Sequence, residues 1–436
     1  MNSEISGDLE KRIFDIGISL LEDAKKKKRF SIYDKIFSVC MENQKIKTQL
    51  LHFIDVLPSL KKREDFAGHM REYSTTEMDF GLNLRINLMS ATSIISVPLL
   101  NIFFQRMANN FIVGEKHSDI LASLEKQIRY GMEFTIDRLG EKTTSEIDAD
   151  RYENDYFNLL NILEKKFGTN AKDKTGKPRI NISLKTSSLY SRFDPINQLE
   201  TKMQVKKRLR NILERAKDIG AFVNIDTEHN QTKKLSSEIF KELLLEDEFK
   251  NFYDVGIVVQ AYLRDSEEIL MDFICWSRRN EHPITTRLVK GAYWDHEVML
   301  AQRNGWDIPV YTSKIETDSN YEKLTKIILE NNNQIGAAIA SHNIRSISNS
   351  LAIKERLNIN DRNFEVQMLY GMGQEIKESL ISKKVPIRVY VPYGNLISGM
   401  GYFVRRLLEN SSNESFLRTL DSNINARILL KKPNER

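Results

Sequence analysis

Eight short apolar or β-branched runs, each followed by a helical stretch, constrain what this chain can fold into. They are Phe134–Asp137, Ile180–Lys185, Phe222–Asp226, Val255–Gln260, Thr286–Lys290, Ala337–His342, Phe364–Leu369 and Ile387–Val391. Strand–helix alternation is the pattern of a parallel sheet, because a parallel neighbour needs a crossover long enough to hold a helix. Eight such units over roughly 300 residues suit a closed (β/α)8 barrel with some insertion. An open doubly wound sheet is the alternative. It calls for a glycine-rich phosphate loop after the first strand, and Asp137-Arg-Leu-Gly-Glu141 is not one.

Each run carries a polar residue in or just after its C-terminal half: Asp137, Lys185, Asp226, Gln260, Lys290, His342, Gln367 and Tyr390. Strand ends are often polar for want of anything better. Long polar side chains in otherwise apolar runs, at all eight ends, instead describe a functional rim, since barrel active sites are built at strand C-termini.

Residues 1–122 read as an all-α region. Leu9, Ile13, Ile16 and Leu20 recur at helical spacing, as do Leu50, Leu51, Ile54, Leu57 and Leu60. The barrel then takes 123–436, including a C-terminal helix at Tyr402–Glu409. That helix would place Tyr402, Arg405, Arg406 and Glu409 on one face. Two adjacent guanidinium groups suit bidentate capture of a carboxylate or phosphate, with the Glu holding one of them; alone, the octapeptide reads as a surface salt bridge.

The formal charge of +5, from 65 basic and 60 acidic residues, is spread over 436 residues. With the single basic run Lys25–Arg29 read as a solvated helix end, no nucleic-acid partner is expected. Two cysteines, Cys40 and Cys275, exclude a disulfide framework or a thiolate zinc site and fit a reducing compartment. The most apolar stretch, Ile94–Phe104, falls short of the ~20 residues that span a bilayer, and reads as a buried helix or a peripheral membrane contact. The expected location is cytoplasmic, with peripheral contact at the inner membrane face allowed.

Arg287-Leu-Val-Lys-Gly-Ala-Tyr-Trp294 is the richest segment. Small residues beside two aromatic rings suit a flat, phosphate-bearing cofactor, with Arg287 and Lys290 as charge partners. Two acidic-histidine stretches are weaker. Asp226-Thr-Glu-His229 has no second histidine at ligand spacing, and Asp295-His-Glu297 reads as a solvated helix start, so no metal is expected. Gly394, Gly399 and Gly401 have the wrong spacing for a dinucleotide fingerprint, and no nucleophile elbow occurs. A polar rim without a nucleophile points to redox chemistry by a bound cofactor.

Arg-Leu-Val-Lys-Gly-Ala-Tyr-Trp-Asp (287–295), Tyr-Thr-Ser-Lys (311–314), Ser-His-Asn (341–343), Gln-Met-Leu-Tyr-Gly-Met-Gly (367–373) and Tyr-Phe-Val-Arg-Arg-Leu-Leu-Glu-Asn (402–410) resemble proline dehydrogenase. The likeness is closest to the dehydrogenase portion of bacterial proline utilisation A proteins and runs from about residue 40 to about residue 420. It implies FAD-dependent oxidation of L-proline to Δ1-pyrroline-5-carboxylate, the first step of proline catabolism to glutamate, with electrons passed to a quinone. By resemblance, Lys185, Arg405 and Arg406 pair with the proline carboxylate, and Glu409 orients the arginines. Leu369, Tyr390 and Tyr402 line the substrate pocket, and Asp226 and Arg287 stand by substrate and flavin as the catalytic pair. Thr227, Gln260, Arg287, Val289, Lys290, Gly291, Ala292, Trp294, Thr312, Lys314, Thr317, Ser341, His342, Asn343 and Gln367 are expected around FAD. The roles are chemically coherent, because hydride removal requires the ring to be fixed by its carboxylate rather than attacked.

Thr186-Ser-Ser188 departs from the family's usual Leu-Ser-Ala after the lysine. The aldehyde dehydrogenase and DNA-binding modules of the larger relatives are not visible in the sequence. The chain reads as a stand-alone dehydrogenase or as a portion of a bifunctional one, and a separate pyrroline-5-carboxylate dehydrogenase is a conceivable partner. Alternatives are a 4-hydroxyproline dehydrogenase, disfavoured because Tyr390 crowds the carbon that would bear the hydroxyl, and a non-catalytic relative that keeps the barrel.

Overall fold

The structure, a computed structural model, describes residues 2–27, 109–139, 143–395, 399, 402 and 426–435. A long helix α1 (Asn2–Lys27) comes first, and α2 (His117–Arg129) leads into the sheet. Strand β1 (Glu133–Arg138) is followed by α3 (Glu146–Phe167), β2 (Asn181–Lys185) by α4 (Gln198–Asp218), and β3 (Phe222–Asp226) by α5 (Asn230–Leu244). Then come β4 (Val255–Gln260) with α6 (Ser266–Arg279), and β5 (Ile284–Val289) with two helices, α7 (Trp294–Asn304) and α8 (Lys314–Glu330). The remaining units are β6 (Ile335–Ala340) with α9 (Ile344–Arg356), β7 (Phe364–Leu369) with α10 (Gln374–Ser382), and β8 (Ile387–Tyr393); α11 (Ala426–Leu429) comes last.

The strands pair in parallel in sequence order, and β8 closes on β1 through the register Phe134–Val389 and Ile136–Val391. This is the expected (β/α)8 barrel, and closure excludes the open sheet. Each expected strand is present, with β5 and β6 ending slightly earlier than the sequence suggested, so that Lys290, Ser341 and His342 lie in the loops that follow.

Alternation along the strands sorts the chemistry. Phe134, Ile136, Ile182, Leu184, Val223, Ile225, Ile257, Val259, Leu288, Ile339, Val366, Val389 and Val391 are buried in one continuous core. The residues between them are largely polar and meet one another across the barrel: Thr135 with Ser183 at 2.8 Å, Arg287 with Ser183 at 2.8 Å, and Arg388 with Glu365 at 3.0 Å. The apolar layer therefore lies between sheet and helices, and the lumen is a polar interior whose groups must satisfy one another.

Helix starts explain part of the local order. Ser145 and Ser313 form reciprocal capping boxes with Asp148 and Glu316 at the heads of α3 and α8, and the Asn343 side chain caps α9 by accepting from the Ser346 N–H. Helix α1 lies along α9 and α10: Arg12 makes a forked pair with Glu355, and Lys27 donates to the Glu378 carbonyl. Lys25 and Lys26 are exposed, as expected of a solvated helix end. The Ile94–Phe104 stretch and Cys40 lie outside the described residues; Cys275 is exposed.

The N-terminal end of the barrel is plugged by charge. Arg388 on β8 bonds Glu365 on β7 and reaches Asp173, in the loop before β2, at 3.0 Å; its third nitrogen donates to the Phe134 carbonyl at 2.8 Å. Lys177 closes the far side of Glu365 at 3.0 Å. Burial alone would raise the Glu365 pKa, yet Arg388 and Lys177 hold it well below the usual carboxylate range. Removing the arginine leaves the buried Asp173 carboxylate without its cation and Glu365 with Lys177 alone, so Arg388→Met is expected to destabilise the fold by about 3–5 kcal/mol in denaturant unfolding.

Candidate active site

At the opposite end, the strand C-termini converge. Asp226 at the tip of β3 accepts from Arg287 Nη1 at 2.5 Å and from Asn224 at 2.9 Å on one oxygen. Its other oxygen accepts from the Tyr390 hydroxyl on β8 at 2.9 Å. The Arg287 guanidinium sits 5.2 Å from the centroid of the Tyr390 ring, so carboxylate, cation and phenol form one cluster, the guanidinium buried and the other two half-buried. Burial, and then the nearby carboxylates of Asp137 and Asp226, push the Tyr390 phenol well above its ordinary pKa, so it is a donor throughout the physiological range.

Lys185 at the tip of β2 donates to both oxygens of Asp137 on β1, at 2.9 and 2.8 Å. Burial opposes its charge, but Asp137 holds its pKa well above the ordinary value, so the ammonium stays protonated. Tyr156 from α3 donates to the Ser183 carbonyl at 2.5 Å, and Tyr152 accepts from the Lys185 N–H at 3.1 Å, which fixes the strand end beneath the lysine.

Gln260 at the tip of β4 donates to the carbonyls of Thr227 and Glu228 at 3.1 Å each, tying β4 to the loop after β3. Its side-chain oxygen, like that of Gln367 on β7, is buried without a hydrogen-bond partner among the described residues. Two orphaned acceptors at the ends of barrel strands fit a ligand with ring N–H groups.

Lys290 pairs with Asp318 and lies 5.7 Å from the Tyr321 ring. Gly291 has a φ of +126° and its missing Cβ would stand 2.4 Å from the Tyr262 ring, so no other residue fits there without movement. Val289 is half-buried at the end of β5, Ala292 is exposed, and Trp294 donates its indole N–H to the Tyr311 carbonyl at 2.8 Å. Thr312 and Lys314 are exposed beside the head of α8, where Thr317 is buried. Thr227 donates to the Val258 carbonyl at 3.3 Å.

After β6, Ser341 accepts from the Asn343 N–H at 3.0 Å, and His342 Nε2 accepts from the Leu369 N–H at 3.0 Å. Lys377 on α10 donates to the Leu369 carbonyl at 2.7 Å, so the residue that ends β7 is gripped from both sides. Tyr402 is helical and half-buried. Arg405, Arg406 and Glu409 lie outside the described residues.

The sequence reading overlooked Ser183, Asn224, Tyr152 and Tyr156. Ser183 and Asn224 stand two residues before Lys185 and Asp226 on the same strand face, so period-2 counting back from the polar tips could have found them. It also overlooked Glu228, which accepts from Ser187 at 2.5 Å and from Tyr293 at 3.2 Å. Ser187 belongs to the Thr-Ser-Ser departure, which here is absorbed by hydrogen bonding. The expectation for Asp295–Glu297 needs correction: α7 does begin there, but Glu297 is buried and turned towards His229 rather than solvated.

A closed parallel barrel with its polar cluster at the strand C-termini defines the class, a (β/α)8 enzyme scaffold. Residues 120–419 match the proline dehydrogenase family and residues 10–102 the proline utilization A N-terminal domain. The chain belongs to the proline dehydrogenase family. It is 31% identical over 326 residues to the bifunctional protein PutA of Klebsiella aerogenes, which covers 73% of this chain and 24% of that protein. It is 28% identical to proline dehydrogenase 2 of Bacillus subtilis strain 168, covering 72% of this chain and 93% of that one. The solved structure of proline utilization A from Bdellovibrio bacteriovorus, inactivated by N-propargylglycine, superposes with a TM-score of 0.87 at 38% identity, over 98% of this chain and 44% of that one. The chain thus spans about a quarter of the length of the curated PutA relatives it matches.

Lys377 provides a test of how the site is packed. Burial pushes its pKa down to about 7, so between there and the ~10.4 of an unfolded lysine the unfolded chain binds more protons. Its contribution to stability therefore improves as pH rises through that window. Lys377→Met is expected to remove a slope approaching about 1.4 kcal/mol per pH unit from wild-type stability, read by denaturant unfolding from pH 7 to 10.

Proposed function

We propose that the barrel mouth oxidises L-proline to Δ1-pyrroline-5-carboxylate with FAD as cofactor and a quinone as electron acceptor. The observation that carries this reading is the Asp226–Arg287–Tyr390 cluster beside a protonated Lys185, at the strand ends of a chain in the proline dehydrogenase family. A carboxylate substrate brought into such a site needs cations already in place. Lys185 offers one, and Arg405 and Arg406 are assigned as the others, with Glu409 orienting them.

When bound, FAD supplies the acceptor for the hydride that leaves proline C5. Gln260 and Gln367 would hold its ring through their unused acceptors, with Arg287, Val289, Lys290, Gly291, Ala292, Thr227 and His342 against it. Trp294, Thr312, Lys314, Thr317, Ser341 and Asn343 would take the remainder. The chain's own part is positioning. Tyr390, anchored on Asp226, presents its ring as a fixed wall of the pocket, which Leu369 and Tyr402 complete. Asp226 holds Arg287 in one orientation, so the guanidinium keeps its place as the ring approaches. The rigid Tyr390 wall also favours proline over 4-hydroxyproline, because an added hydroxyl would meet the aromatic ring.

A peripheral contact with the inner face of a membrane and hand-over of product to a pyrroline-5-carboxylate dehydrogenase belong to the same proposal. No helix among the described residues is long and apolar enough to cross a membrane.

The purified protein is expected to show flavin absorption bands that bleach on anaerobic addition of L-proline and not of 4-hydroxyproline. A colourless protein, or bands indifferent to proline, would overturn the reading. Arg405→Met or Arg406→Met is expected to raise the proline KM by roughly ten- to a hundredfold, the value of one hydrogen bond to a charged group. An unchanged KM would remove these arginines from the carboxylate site.

A further inference from the structure

Two stretches that are unremarkable separately in sequence meet in the fold. His229 stands in the loop between β3 and α5, and His296 and Glu297 lie in the first turn of α7. One ligand atom from each of the three lies within 4.8 Å of the other two. The imidazoles of His229 and His296 have ring centroids 4.6 Å apart. Nδ1 of His229 lies 3.6 Å from Glu297 Oε1, too far for a hydrogen bond, and it is shut off from solvent with no partner among the described residues.

We propose that His229, His296 and Glu297 bind a divalent transition-metal ion, with zinc the best match to the ligand set. Two imidazoles and one carboxylate form a recurrent zinc triad that leaves further positions for water. Metal–ligand lengths of ~2.0–2.1 Å put tetrahedral ligands about 3.3 Å apart. The trio must therefore close by up to about 1.5 Å, and His296, exposed at the protein surface, is the member able to swing. Burial is graded from Glu297 through His229 to His296, so the ion would rest on a fixed carboxylate and face water.

The surrounding contacts already orient the donors. Glu297 Oε1 accepts from the Asn230 N–H at 2.9 Å; burial opposes the ionised carboxylate, but the neighbouring His229 and then that bond keep it below its usual pKa. The His229 ring packs on Tyr293 at 4.7 Å, and Tyr293 in turn donates to Glu228 at 3.2 Å. Such outer partners fix ligand orientation. The ion would tether the loop that follows Asp226 to the one that follows Arg287 and Lys290, two of the segments that frame the barrel mouth.

The test is equilibrium dialysis of zinc against the full chain as purified, without a polyhistidine tag. One zinc per chain is expected. His296→Ala, at an exposed position that folding tolerates, is expected to weaken binding by roughly tenfold or more, the size seen even for outer-shell partners. His117→Ala, another exposed histidine, is expected to leave it unchanged. X-ray absorption at the zinc edge should show two imidazoles in the first shell. No retained zinc, or wild-type affinity in His296→Ala, would overturn the site and leave Glu297 as a loop latch on His229.

Discussion

The carboxylate of Asp226 is the constraint on which the mouth of this barrel depends. One oxygen holds Arg287 across the lumen from β5, and the other holds Tyr390 from β8. A buried guanidinium next to a half-buried phenol is unfavourable unless a fixed anion satisfies both, and here a single aspartate does so. Strands β3, β5 and β8 are thereby tied at their tips by side chains, in addition to the backbone ladder between neighbours. The geometry of the candidate site and the closure of the barrel mouth share one set of bonds.

That sharing follows from which face of each strand is polar. The apolar face packs beneath the helices, and the inward face carries Thr135, Ser183, Arg287, Glu365 and Arg388 in mutually bonded positions. Many barrels fill their lumen with branched aliphatic residues. Here it is filled by paired charges and hydroxyls, which demand specific partners and so fix side-chain positions more tightly than an apolar filling would.

Much of this was legible in the sequence because parallel strands announce themselves twice, by apolar runs and by the helices between them. The polar tips were legible because a lysine or aspartate ending an apolar run has no packing reason to be there. Ser183 and Asn224 were not, since a small polar residue inside a strand looks ordinary until its partner across the lumen is known. The burial of Glu297 and its approach to His229 depend on two loops brought together by the closure of the sheet, and no local pattern reports that. Arg405, Arg406 and Glu409 rest on helical spacing and motif resemblance.

The charge plug at the barrel's N-terminal end carries a consequence for traffic. With Arg388, Glu365, Asp173 and Lys177 interlocked across the floor, the lumen is a blind well rather than a conduit. A small molecule that reaches the strand tips has to leave by the rim it entered. Arrivals and departures then share one doorway, and successive visitors to the site take turns.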